Sequence, residues 1–67
     1  MGILKVTTLR EVGSISLVQN VDKDTKETNY FIDNGWVVSE TFDEVIKDEL
    51  LNIKDDAQFV AVCQAYL

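Results

Sequence analysis

Tyr30-Phe31-Ile32-Asp33-Asn34-Gly35-Trp36-Val37-Val38-Ser39-Glu40-Thr41-Phe42-Asp43-Glu44-Val45-Ile46 passes from strand to turn to helix, and its reading decides the fold. Tyr30 to Ile32 and Trp36 to Val38 are short runs of aromatic and β-branched residues, the types that suit a pleated, half-buried surface. Asn34-Gly35 between them predicts a tight type I′ turn, because both residues tolerate positive φ. Pairing of the two runs would set Tyr30, Ile32, Trp36 and Val38 on one side, with Phe31 and Val37 on the other. Trp36 is expected in the core as its largest plug, although Trp is also the type most enriched at binding hot spots.

Beyond the turn, Thr41-x-x-Glu44 has the form of a capping box, in which each side chain satisfies the other end's free amide. Phe42, Val45, Ile46, Leu50 and Ile53 then recur every three or four residues and form an apolar stripe to lie on a sheet. Glu49 falls inside that stripe. Either the helix ends near it and the chain turns at Asn52, or this carboxylate sits half buried at a rim.

Toward the N-terminus, residues 3–10 are rich in β-branched types and Gly13 breaks the run, which reads as a strand and a turn. Ile15 and Leu17 alternate with Ser14 and Ser16 in a second strand with one buried face, a pattern from which Val18 departs. Asn20 to Glu27 is a polar connection between antiparallel strands. Toward the C-terminus, Asp55 caps a second helix with Gln58 as reciprocal partner, and Phe59, Val62, Cys63 and Tyr66 follow at helical spacing. Ala57, Ala61 and Ala65 line its other side. A strand through Phe59 to Leu67 is the rival reading, since Val60, Val62 and Cys63 are not strong helix formers.

The expectation is a single α+β domain. A small antiparallel β-meander of three to four strands, at about 3–10, 14–20, 27–33 and 36–38, carries two C-terminal helices, at about 42–51 and 56–66, packed on one face.

With 67 residues the chain holds one small core, and with 46% apolar residues and no Pro it is too hydrophobic for a disordered tail. A lone cysteine forms no internal disulfide, which points to a reducing, cytoplasmic setting. No apolar run approaches the roughly 18 residues of a membrane span, and the segment around Lys5 lacks a signal-peptide core. Six basic residues against twelve acids, with a pI near 4.2, argue against direct binding to nucleic acid or anionic lipid.

Catalytic signatures are missing from the sequence. There is no His, which removes Ser-His and Cys-His pairs and imidazole zinc sites. Cys63 lies on an apolar helical face, where a thiol behaves as a small hydrophobe. The three glycines stand alone and begin no phosphate-cradling loop. Asp22 to Glu27 lacks the glycine that a calcium loop needs at its sixth position, which Glu27 occupies. Neighbouring acids such as Asp43 and Glu44, or Asp48 and Glu49, diverge by roughly 100° on a helix and cannot flank one bond. The chain is therefore expected to be non-enzymatic, without cofactor or metal.

Charge is the remaining lead. Seven of the twelve carboxylates fall between Glu40 and Asp56, opposed there only by Lys47 and Lys54. Asp43 and Glu44 complement the dipole of a helix's first turn, but Asp48 and Glu49 lie toward its far end, where anions are disfavoured. Glu40, Glu44 and Asp48 recur every four residues, about 5–6 Å apart on one helix face, a spacing close to that of successive phosphates. This row, with Glu49, is the candidate partner-binding face: a DNA-mimicking surface for a protein with a basic site. The bland alternative is a solvated helix. The candidate oligomer faces are the second side of the sheet, with Val18, Phe31 and Val37, and the ridge of Ala57, Ala61 and Ala65. Either would make a structural or assembly protein that forms a homodimer.

The stretch from Tyr30 to Ile46 resembles a pattern met in small uncharacterised accessory proteins of tailed bacteriophages. In these, a hairpin on Asn-Gly or Asp-Gly runs through Val-Ser into a capped acidic helix. The resemblance covers about a quarter of the chain and carries over no functional residue. It implies an inhibitor or modulator in the host cytoplasm that binds a host protein such as a polymerase, nuclease or defence complex.

Overall fold

A computed structural model describes residues 4–39 and 42–67. Three antiparallel strands, β1 (Leu4–Val12), β2 (Ile15–Asp22) and β3 (Thr28–Asp33), form one sheet in the order β1-β2-β3. Two helices, α1 (Glu44–Asn52) and α2 (Asp56–Ala65), follow. The fold is thus α+β, a three-stranded meander with two C-terminal helices, and the helical alternative for the last segment is the one adopted.

The tight two-residue turn lies at Gly13-Ser14, where Val12 pairs with Ile15 and Gly13 takes φ +60°. Positive φ at the first turn residue alone is the type II′ arrangement, whose twist matches that of the strands it joins. Asn34-Gly35 behaves differently. Asn34 keeps a negative φ and its Oδ1 accepts from the amides of Trp36 at 2.9 Å and Val37 at 2.7 Å, so only Gly35, at φ +89°, is left-handed. The expected type I′ turn loses to this side-chain capture of the backbone. The loop widens to four residues, and Asp33 pairs with Val38 instead of Trp36.

Residues 36–38 consequently form no strand. Their place along β3 is taken by two single bridges, Asp33 with Val38 and Tyr30 with Phe42. Ser39 fixes the segment between them: its amide donates to Ile32 O at 2.8 Å and its Oγ accepts from Ile32 N at 2.8 Å.

Register determines the faces of the sheet. Ile15, Leu17, Tyr30 and Ile32 point toward the helices, while Val18 and Phe31, paired with each other, point away. On β1 the register slips between Thr8 and Arg10, so that Thr8 opposes Val18 and Arg10 opposes Leu17, with Leu9 as the extra residue of a bulge. Without it Arg10 would oppose Ser16 on the far face. With it Leu9, Arg10 and Val12 all serve the helix side, and Leu9 and Val12 pack on the core formed by Ile15, Leu17, Ile32, Leu50, Phe59 and Cys63.

Both helices are capped by aspartates. Asp43 accepts from Ile46 N at 3.1 Å and Asp55 from Gln58 N at 3.3 Å. The cap of α1 is therefore Asp43, and Thr41, expected in that role, lies outside the described residues. Ile46 and Leu50 on α1, with Ile53 just past its end, meet the core, whereas Val45 is exposed with Glu49 on the outer side. The helix ends at Asn52, three residues past Glu49, and the chain turns there, which is the first of the two alternatives; Glu49 is exposed rather than half buried. On α2, Phe59 and Cys63 are fully buried, and Tyr66 packs its ring 6.0 Å from that of Phe42.

Arg10 ties the layers together. Its guanidinium donates to the carbonyl oxygens of Ile53 and of Leu50, the latter at 3.4 Å, and pairs with Asp56 Oδ1 at 2.9 Å. It also lies 4.2 Å from the centroid of the Phe59 ring. No basic residue occupies the last turn of α1, so a cation from the sheet satisfies its C-terminal carbonyls.

Substituting Arg10→Ala should cost about 2–3 kcal/mol, the scale of charged hydrogen bonds lost together with a cation–π contact. Asp56→Asn should cost under about 1 kcal/mol, since that carboxylate is exposed to solvent. Urea midpoints measure both; equal losses would contradict the capping role.

Candidate interaction surface

Three surfaces compete: the acidic helix, the loop at Trp36, and the side of the sheet away from the helices.

The acidic helix is the one the sequence emphasises, and part of its charge is paired. Lys47 Nζ lies 2.6 Å from Asp48 Oδ1 and 3.8 Å from Glu44 Oε1, and 5.2 Å from the centroid of the Tyr30 ring. The hydrogen bond to Asp48 is the main influence holding the Lys47 ammonium above the usual lysine range, with the charges of Asp48 and Glu44 adding to it. Asp43 and Asp55 cap helices and Asp56 pairs with Arg10. Glu49 is exposed and has no ion-pair partner among the described residues. Glu40, the first member of the expected row, lies outside the described residues. Because α1 begins at Glu44, the helical row that the structure describes reduces to Glu44 and Asp48, both held by one lysine.

The loop at Trp36 is the opposite case. The sequence favours Trp36 as a core residue, but it is 94% exposed. The widening of the loop explains why: a two-residue turn would have set Trp36 beside Asp33 in a strand, and the four-residue loop carries it to the tip. That tip is well fixed. Asp33 Oδ1 accepts from Gly35 N at 2.6 Å, Asn34 Oδ1 accepts from two amides, and Asn34 N donates to Val37 O at 3.1 Å. Val37 and Val38 are exposed beside it.

On the sheet, the helix-free face carries Leu4, Val6 and Thr8 from β1, Val18 and Asn20 from β2, and Asn29 and Phe31 from β3. Val38, opposite Asp33, continues this face beyond β3. Leu4 and Val6 are 55% and 61% exposed, whereas Val18 is buried and takes no part in the helix-side core. Asn20 Oδ1, directly between Val6 and Asn29, is buried without a hydrogen-bond partner among the described residues. Of the expected oligomer face, Val18 and Phe31 share this side of the sheet, and Val37 stands in the loop. Ala57, Ala61 and Ala65 are exposed on α2.

Chemistry beyond contact has little to work with. Cys63 is buried, and burial pushes its thiol up from the ordinary value, with Arg10 opposing the shift. Among the described residues no group of three His, Cys, Asp or Glu is placed to hold a metal ion, and no helix is long and apolar enough to cross a membrane.

Arg10 and Trp36 were the informative residues that pattern reading misplaced or passed over. For Trp36 the available signal was Asp33-Asn34, two side-chain acceptors in succession before the glycine. For Arg10, the only cation between Lys5 and Lys23, no local signal reveals the bulge that orients it.

Comparison with protein-family models, with curated proteins and with solved structures finds no match to this chain.

The raised thiol has a consequence for stability. Below the unfolded-state value near 9.0 both states keep the proton and the preference costs nothing. Above it the unfolded chain ionises first, so stability falls as pH climbs toward the folded value. Wild type should therefore lose more stability than Cys63→Ala between pH 8 and 10.5 in paired urea titrations. Parallel curves would refute the assignment.

Proposed function

We propose that this chain is a non-enzymatic protein-interaction module whose contact surface comprises the Trp36 loop and the helix-free face of the sheet. The observation that carries this reading is a 94% exposed Trp at the tip of a loop held by side-chain-to-backbone hydrogen bonds. Exposing so large an apolar side chain gains nothing for the fold. A pre-ordered aromatic anchor loses little conformational freedom on binding, and this is how Trp dominates many interfaces. The apolar residues of the sheet extend the surface beyond a single anchor.

A second reading keeps the acidic helix as the contact face. Its support is the exposure of Glu44 and Asp48, whose side chains face solvent despite their link to Lys47. In that reading, and with the resemblance to phage accessory proteins, the partner is a nucleic-acid-handling host protein that the chain inhibits or redirects. The pairing with Lys47 makes this the weaker of the two, because a partner's cation must compete with one already in place.

Substitution separates the readings. Trp36→Ala should leave the urea midpoint within about 0.5 kcal/mol of wild type, as expected for a surface position. It should weaken capture of the native partner by roughly thirtyfold or more, the scale of a hot-spot side chain. Glu44→Lys with Asp48→Lys should change capture little. The reverse pattern would transfer the function to the helix.

A further inference from the structure

We propose that the helix-free face of the sheet receives an amphipathic helix of a partner protein, aliphatic along its centre and carrying Lys or Arg toward both ends. This rests on reading that face as an interface, and it adds the chemistry of the occupant.

Charge distribution on the sheet supplies the argument. Glu11, Asp22 and Asp33 lie on the helix-free side by register, Asp22 at one end of β2 and the other two flanking Ser16 at its opposite end. Between the two ends the face is apolar or neutral: Val6, Thr8, Val18, Asn20, Asn29 and Phe31. None of the six cations lies there. Register places Lys5 and Arg10 on the helix side, Lys23 and Lys26 belong to the loop after β2, and Lys47 and Lys54 to the helical half. Nor do the three acids have a cation partner among the described residues; Glu11 accepts from Ser16 Oγ at 3.3 Å, and Asp22 and Asp33 accept from loop amides. An uncharged centre with acids at both ends is therefore left without a paired cation among the described residues.

Dimensions select a helix. The outer strands of a three-stranded sheet stand about 10 Å apart, close to the diameter of one helix. From Asp22 to Ser16 along β2 is roughly 20 Å at strand rise, a distance a helix covers in about 13 residues. The helix side of this same sheet is already covered by α1 and α2 in that manner. An added strand is a poorer fit, because the outer edge of β1 is interrupted by the bulge at Leu9 and carries Lys5 near its start, two features that discourage edge pairing. A second copy is disfavoured as well, since two such faces would oppose acids to acids with no cation between them.

The test titrates the ¹⁵N-labelled full chain with a synthetic 18-residue amphipathic peptide, Leu and Ile on one face and Lys near both ends. A counterpart carries Glu for every Lys. The Lys peptide should shift the amides of Val6, Thr8, Val18 and Phe31, bind at least about tenfold more tightly than its Glu counterpart, and weaken at high salt. Glu11→Lys with Asp33→Lys should erase the preference. Equal binding of the Glu peptide on the same residues would overturn the cationic chemistry and leave the interface reading intact. If neither peptide perturbs the face while Trp36→Ala still abolishes partner capture, the docked helix is refuted and the module is not. Amide shifts that change on diluting the peptide-free protein would give the face to a second copy and overturn the proposal.

Discussion

The structure depends on the placement of one guanidinium. A meander followed by two short helices has few ways to hold the helices at a defined angle, since α1 and α2 are separated by only Ile53, Lys54 and Asp55. The end of α1 leaves carbonyl groups without partners in the same place where the start of α2 needs orientation. Arg10 meets both needs from the sheet, capping Leu50 and Ile53, pairing with Asp56 and lying against Phe59. It can do so only because the bulge at Leu9 turns it to the helix side. A backbone irregularity of one residue thus sets the packing of both helices on the sheet.

The same logic redistributes the meaning of the acidic segment. Read as sequence, seven carboxylates between Glu40 and Asp56 form a block of charge. In the fold Asp43 and Asp55 become caps, Asp56 a partner for Arg10, and Glu44 and Asp48 the two arms of Lys47. Most of the density of acid follows from packing two helix starts into a short stretch, because each start favours negative charge. Besides Glu49, further acids without a cation partner among the described residues lie on the helix-free side of the sheet, where five intervening strand residues between Asp22 and Ser16 hide their association from any reading by local charge.

Much of the architecture was legible. Alternation in Ile15 to Leu17, the strand types in Tyr30 to Ile32, and the Asp55 cap with its following apolar spacing each anticipate the element that forms there. These signals are local, and local preference agrees with the final structure. The misreadings occur where two local preferences compete or where the decisive contact is distant. Asn34-Gly35 satisfies a type I′ turn, yet Asn34 is also an acceptor within reach of two amides, and the second option prevails and carries Trp36 to the surface. Thr41 and Asp43 both suit a helix cap, and Asp43 takes that role. Arg10 bonds to groups some forty residues away, beyond what spacing can reveal.

A chain this small makes an uncovered sheet face expensive to leave as it is. The Cα trace measures 38 × 24 × 16 Å, and among the described residues no helix lies on the Val18 and Phe31 side, where Val18 is buried but Leu4 and Val6 are exposed. Exposed apolar area contributes nothing to a stability that is slender at this length. Burying it against a partner adds stability that grows with the logarithm of the ratio of partner concentration to dissociation constant, so binding and folding reinforce one another. The helix side of the sheet is closed by Arg10, Phe59 and the core around them. The other side mixes Val6, Val18 and Phe31 with Thr8, Asn20 and Asn29, and its acids stand at the ends, so register alone divides one sheet into an apolar face and a mixed one.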